Sequence, residues 1–336
     1  ITMWLGALST SIQLLINPAD REVYQWITQL AWLTPDNMTA LQQLSFFLTA
    51  GRVAVAVVNS LGLVIIFWLA RHLFGDLFAI LAIGFLLLDS FLSGLSGILH
   101  VDGLATTFTT ISLLFLALAL SADTGQRGRR GSLLHTALAG ATAALAFLAK
   151  SPTLLLAPVT AILFLTILWR RRQQPITLRL GEMVRLGVIW LVSFVAVCFL
   201  LFPALWASPM QVLQLTSSNA NRHIEEALRP TFFMGEVAFD HGRLFYPIAL
   251  AWRISPLVLV GLVLVVAQLF KTSWRERLPK FLIIIFTLWI AIFLAGISLA
   301  AKKFDRYLLP VLPMVTMLAT LGWVTWLRSG KRASRL

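Results

Sequence analysis

The stretch HVDGLATTFTTISLLFLALALS (100–121) decides what kind of protein this is. His100 and Asp102 stand at its start, and from Gly103 to Ser121 there is no further charge. An α-helix of about 18 such residues reaches across a hydrocarbon core roughly 30 Å thick, so the stretch reads as a membrane span with two ionisable groups at one mouth. The same pattern recurs on both sides. Apolar runs bounded by charges or turn residues fall at about 53–70, 77–95, 104–121, 133–149, 153–169, 185–204, 255–270, 281–299 and 307–327. Residues 3–16 (MWLGALSTSIQLLI) are too short to span and read as a juxtamembrane helix or the remainder of a span. The fold class is all-α: a polytopic helical membrane protein with about nine transmembrane helices in this chain. Composition agrees, because 12% charged residues against 59% hydrophobic ones in 336 residues cannot clothe a water-facing surface. A soluble globular enzyme is excluded.

A formal charge of +13 would point to nucleic acid in a soluble chain, but in a membrane protein basic residues set topology, and no nucleic-acid partner is expected. With residues 1–51 outside, the inside segments are 71–76, 122–132, 170–184, 271–280 and 328–336. They hold 16 of the 27 basic residues, which places the C-terminus in the cytoplasm. Ten of the 14 acids (Asp20, Glu22, Asp36, Asp89, Asp102, Glu225, Glu226, Glu236, Asp240 and Asp305) fall on or near the outer face. They either serve chemistry or cation binding there, or solvate two long outer loops, 17–51 and 206–252. Cys198 is the single cysteine, inside an apolar run, so a disulfide framework and Cys-ligated zinc are excluded. The chain opens Ile1-Thr2-Met3 without a signal-peptide pattern, and the natural N-terminus is expected upstream. No internal repeat or second domain is evident, so residues 1–336 read as a single transmembrane domain.

Four constellations could carry chemistry. Asp102, at the N-terminal end of a helix, suits a helix cap; with His100 two residues before it, it also suits a metal or a substrate hydroxyl. Lys150 ends an Ala-rich span as either a snorkelling lysine or an anion site. In Lys150-Ser151-Pro152, Ser151 is placed to cap and Pro152 to open the next helix. Lys302-Lys303-Phe304-Asp305-Arg306 gathers three basic residues where the orientation rule disfavours them, and a phosphate is the natural partner, with a solvated end as the alternative. Asn221 to Glu226 and FFMGEVAFDHGRLFYP (232–247) combine His223, His241, Glu236 and Asp240 without a metal-ligand spacing, and a hydrated loop explains them equally.

Taken in order, five pieces make the chain similar to the GT-C membrane glycosyltransferases, in the branch of protein O-mannosyltransferases and lipid A aminoarabinose transferases. They are AGRVAVAVVNSLGLVIIFWLARHLFG (50–75), HVDGLATTFTTISLLFLAL (100–118), ALAFLAKSPTLLLAP (144–158), FFMGEVAFDHGRLFYP (232–247) and KKFDRYLLPVLPMVTMLATLGW (302–323). The resemblance implies inverting transfer of a sugar from a polyprenyl-phosphate donor to a protein, lipid or glycan acceptor on the outer face. It implies a bacterial cytoplasmic-membrane protein among membrane lipids, with ten or more spans in the full protein. Asp102 is then the catalytic acid within this chain. Lys150, Lys302, Lys303, Arg306 and Tyr307 lie near the donor phosphate, with Pro310 completing the motif. Arg52, His100 and Asp240 bind substrate. A histidine that holds a divalent metal ion in some relatives matches His223, and no other cofactor is implied. The family's first span and first outer loop, with its Asp-Glu pair, would precede Ile1; Asp20-Arg21-Glu22 is a poor substitute for that pair.

Rival readings are a secondary transporter and a non-catalytic subunit of a membrane complex, with an oligosaccharide polymerase or ligase as the nearest enzymatic rival. Transporters place charges and broken helices near the midplane. Here the charges gather at one face. If they serve a single reaction, Asp102, Lys150, the His223 region and Lys302 to Arg306 are expected to surround a common cavity.

Overall fold

Away from water a backbone has to satisfy its own N–H and C=O groups, and the apolar runs accordingly become helices. The computed structural model describes residues 1–30, 37–121, 126–170, 172–225, 230–270, 279–300 and 302–333. Among these, seven helical segments are long and apolar enough to cross a membrane: Met38–Phe74, Val101–Ser121, Arg130–Ala149, Ser151–Trp169, Ile176–Leu201, Lys280–Ser298 and Asp305–Arg328. Two bent pairs, Asp76–Leu88 with Ser90–Ser96 and Phe245–Arg253 with Pro256–Phe270, raise the number to nine if each pair counts as one span. This is a multi-pass membrane protein.

Both bends depart from the sequence expectation. The span expected at 77–95 turns by 72° at Asp89, whose carboxylate accepts the Leu92 N–H at 2.8 Å and so starts a second short helix. The span expected at 255–270 is preceded by a helix at 111° to it, in a region read as loop; Pro256, which lacks an N–H, opens the new helix. The expected loop 17–51 is likewise largely helical. It contains Asp20–Gln29 and the beginning of Met38–Phe74, where the Asn37 side chain accepts the Ala40 N–H at 3.1 Å. At 37 residues that helix is about 55 Å long and overshoots the hydrocarbon core. The expected loop 206–252 holds helix Pro209–Glu225 and a hairpin pairing Thr231–Phe233 with Glu236–Ala238. Met234 and Gly235, both at positive φ, make its two-residue turn. Residues 3–16 fall within helix Thr2–Ile16, which crosses Met38–Phe74 where Gly6 and Gly51 meet.

Val101–Ser121 and Asp305–Arg328 form the centre, each with 89% of its apolar window buried. The other helices turn apolar faces outward, as at Leu191, Val195 and Phe199, which suits contact with lipid. Helices pack through small residues and a few polar bonds. Thr107 donates to Asn59 Oδ1 at 2.8 Å, Asn59 Nδ2 donates to the Ser96 carbonyl at 2.9 Å, and Ser112 donates to the Ala139 carbonyl at 2.8 Å. Asn59 thus ties three helices together. Asn59→Val is expected to lower unfolding stability in detergent by about 1–2 kcal/mol, since two bonds are lost and Thr107 and Ser96 keep unpaired groups. Chemical denaturation of the purified variant measures it.

Candidate functional site

Three interruptions in the helices bring the site together. The first lies before Val101, where the His100 N–H bonds the Ile98 carbonyl at 2.8 Å and the next helix starts with Asp102 in its first turn. Asp102 is fully buried, and its carboxylate does not cap that helix. Oδ1 pairs with Lys150 Nζ, while Oδ2 lies 3.0 Å from His100 Nδ1 and 3.7 Å from Arg306 Nε. Neither Oδ2 nor Arg306 Nε completes an aligned hydrogen bond among the described residues. An acceptor and a donor are therefore left facing each other with capacity to spare.

The second interruption is Lys150, where extended backbone separates helix Gln126–Ala149 from a 3₁₀ turn, Ser151–Leu155. Lys150 itself takes the cap position and Thr153 Oγ1 donates to its carbonyl at 2.8 Å, in place of the expected Ser151 cap. The Lys150 ammonium sits 3.7 Å above the centre of the Tyr307 ring. Burial pushes its pKa down to about 8, against the opposing pull of Asp102; Arg306 and Lys302 lower it further. His100 is also pushed down, chiefly by burial, with Arg306 and Lys150 adding to the effect.

The third interruption, 302–311, runs into the last span through a 3₁₀ turn, Asp305–Val311. Its side chains divide between two faces. Arg306 and Tyr307 turn toward Asp102 and Lys150, and the Arg306 guanidinium lies 4.6 Å from the Phe304 ring centre. Lys303, only 3% exposed, turns the other way; Nζ donates to the Ala300 carbonyl at 2.7 Å and pairs with Asp240 at 2.8 Å. That hydrogen bond holds the Asp240 carboxyl below its usual range. Arg253 pairs with Asp305 and lies 4.6 Å from the Phe91 ring centre. On this face a cavity of about 770 Å³ is lined by Phe233, Phe245, Trp252, Arg253, Lys303 and Asp305 among others.

Of the residues singled out from sequence, Asp102, His100, Lys150, Arg306 and Tyr307 come into direct contact. Lys303 and Asp240 pair beside the aromatic cavity, which neither Asp102 nor Lys150 lines, so the expected single cavity becomes two neighbouring environments sharing one segment. Lys302 is half-buried, 5.6 Å from the Phe304 ring centre. Arg52 is exposed on Met38–Phe74 and takes no part in these contacts among the described residues. His223 lies on helix Pro209–Glu225, and its side chain falls outside the described residues. Among the described residues no three His, Cys, Asp or Glu side chains converge as a metal site requires. Arg253, Phe91 and Phe304 were not singled out. Arg253 carried the signal used for Lys302 to Arg306, a basic residue at the disfavoured end of an apolar segment.

Residues 35–205 match the family model of dolichyl-phosphate-mannose-protein mannosyltransferases. The undecaprenyl phosphate-α-4-amino-4-deoxy-L-arabinose arabinosyl transferase of Pseudomonas aeruginosa strain LESB58 is 29% identical over 281 residues, covering 83% of this chain and 46% of the relative. Its counterpart in strain UCBPP-PA14 is 28% identical over 284 residues, with the same coverage. The chain spans about half the length of the curated relatives it matches. Among solved structures, ArnT from Cupriavidus metallidurans bound to undecaprenyl phosphate is similar, with a TM-score of 0.55, 19% identity, and 84% of this chain covered against 48% of that one. The fold is therefore of the polytopic GT-C kind.

Proposed function

The chain belongs to the dolichyl-phosphate-mannose-protein mannosyltransferase family, and on that premise we propose that it transfers a sugar, with inversion, from a polyprenyl-phosphate donor to an acceptor. The observation that carries the reading is the buried Asp102 carboxylate, ringed by Lys150, His100 and Arg306 where three helical segments break. Transfer needs two things at one place: a carboxylate to orient the acceptor hydroxyl, and positive charge for the departing phosphate. In our reading the acceptor oxygen attacks the anomeric carbon while the bond from that carbon to the phosphate oxygen breaks. The lipid phosphate leaves with the electron pair. As the new C–O bond forms, the acceptor's hydroxyl proton passes to Asp102 Oδ2, and Arg306, whose side chain is 39% exposed, meets the phosphate alongside Lys302. Lys150, held by Asp102, serves as that carboxylate's counter-charge. Lys303 borders the neighbouring cavity and is held there by Asp240.

The sequence-level distribution of basic residues supports a site on the outer face of a bacterial cytoplasmic membrane and a cytoplasmic C-terminus. The relatives' names support an undecaprenyl-phosphate-linked donor and leave the acceptor as protein, lipid or glycan. The reading also takes residues 1–336 as one membrane domain.

The test is Arg306→Gln in purified protein. Affinity for a polyprenyl-phosphate sugar should fall about 10- to 100-fold, because a charge-assisted fork to phosphate contributes about 1.5–3 kcal/mol. An analogue without the phosphate should bind wild type and variant alike, with little change in melting temperature. A structural role for Arg306 predicts the opposite pair of results: lower melting temperature without donor, and equal losses for both ligands.

A further inference from the structure

Each cation at the site has an aromatic face beside it: Phe304 at 4.6 Å from the Arg306 guanidinium, and Tyr307 at 3.7 Å from the Lys150 ammonium. The two rings meet edge to face, with centroids 5.7 Å apart. The resemblance implies that Tyr307 stands near the lipid phosphate. The geometry points to a further task for the ring. We propose that Tyr307 is a positioning residue that acts through its π face, seating the Lys150 ammonium against Asp102 and keeping it charged in a site from which water is largely removed.

Lys150 retains only 14% of its side-chain exposure, so it has little hydration to sustain a charge. What faces it is one carboxylate, Asp102, and two further cations, Arg306 and Lys302, which oppose the charge. His100 approaches the same carboxylate from the other oxygen. An ammonium over an aromatic face is attracted by the ring's quadrupole, most strongly where water is excluded. Tyr307 also comes from a segment far from Lys150 in sequence, so the contact fixes where the ammonium sits as well as its charge. Losing the ring should favour the neutral amine, which removes the counter-charge of Asp102.

The sign follows from linkage. The ring stabilises the protonated form, so its removal lowers the Lys150 pKa from about 8. Competitive acetylation of lysines, read by mass spectrometry from about pH 6 to about pH 10, measures that pKa directly on the purified protein without substrate. Tyr307→Leu should lower it by about one unit, tenfold in the protonation constant. Tyr307→Phe should leave it at the wild-type value, since the π face survives. Because Leu could disturb packing, phenylalanines with increasing ring fluorination at 307 provide a second series. They keep the ring's shape and weaken its negative face, and the pKa should fall stepwise. A pKa unmoved by Leu or by fluorination overturns the proposal, as does an equal fall for Phe and Leu, which would assign the effect to the hydroxyl. The consequence for transfer rests on the proposed function: the alkaline limb of the rate profile should move down with the labelling pKa in Tyr307→Leu and stay in place in Tyr307→Phe. If labelling behaves as expected and no transfer is found in the wild type, the glycosyltransferase reading fails while the role of the ring stands.

Discussion

Asp102→Asn is expected to lower the turnover of donor-saturated protein about 100- to 1000-fold while leaving the chain inserted, the range seen when a positioned acid-base or charge-stabilising group is removed. Asparagine has nearly the same shape, yet it cannot balance Lys150. Breaking a buried pair from one side costs roughly 3–5 kcal/mol if the remaining charge stays. Lys150 has an escape, since its pKa is already near 8 and falls further once the carboxylate is gone. Below that lowered pKa the variant carries an uncompensated buried cation and is least stable. As the pH rises through the interval up to about 8, the variant's amine is neutral while that of the wild type is still charged, and the stability deficit closes. Adding Lys150→Met to Asp102→Asn should therefore restore melting temperature at neutral pH without restoring turnover. Recovery of both in the double variant would reduce the pair to a structural ion bridge.

Gly322→Leu should prevent assembly of the bundle. A Cβ on Gly322 would lie 2.2 Å from the Gly261 carbonyl oxygen, and one on Gly261 would lie 2.5 Å from that of Ala319, so each helix presses backbone against backbone. Neither position can relax by turning a side chain aside. The contact is also tied by hydrogen bonds, Gln268 Nε2 to the Gly322 carbonyl and Trp323 Nε1 to the Leu257 carbonyl, each at 2.9 Å, which separation of the helices would break. Gly322→Ala should cost about 3 kcal/mol, at the upper end of overpacking effects. Gly84→Ala, where nothing lies within 4 Å, should stay within about 0.5 kcal/mol of wild type or gain slightly from helix propensity. Unfolding in detergent, read beside yield from the membrane fraction, compares the three. Equal yields for Leu at 322 and Ala at 84 would mean that the two helices do not cross this closely.

Hydropathy made the unbroken spans readable because a bilayer imposes one length on every helix that crosses it. It did not show the break at Asp89, although an Asp before Ser90 inside an apolar run is itself a capping signal. Nor did it separate helix from loop in 206–252, where polar and apolar residues mix and packing decides. At the site, sequence marked Asp102, Lys150 and the 302–306 cluster through charge at the ends of spans, a costly placement that rarely occurs without a partner. Which charge meets which was not readable. Lys303 and Arg306 are three residues apart yet serve opposite faces, because Lys303 precedes the 3₁₀ turn on extended backbone, with Phe304 at φ −140° and ψ 139°, and only Arg306 lies inside the turn. The same limit hid Arg253, whose partners Asp305 and Phe91 lie far along the chain.

The wide sequence spacing of the Asp102 ring also bears on how the protein is made. Lys150 follows Asp102 by 48 residues, so the first ion pair can close once the hairpin between their two spans has entered the membrane. Arg306 is translated about 150 residues later, which at roughly 5–20 residues per second is an interval of about 10–30 seconds. Throughout it the nascent chain holds a carboxylate and an ammonium that neutralise one another, and no lone charge waits inside the bilayer. A chain lacking Lys150 would pass that interval with Asp102 bare and open to the proteases that survey insertion, whereas a chain lacking Arg306 would pass it unchanged. The pair thus shields the growing polypeptide well before Arg306 arrives to complete the ring.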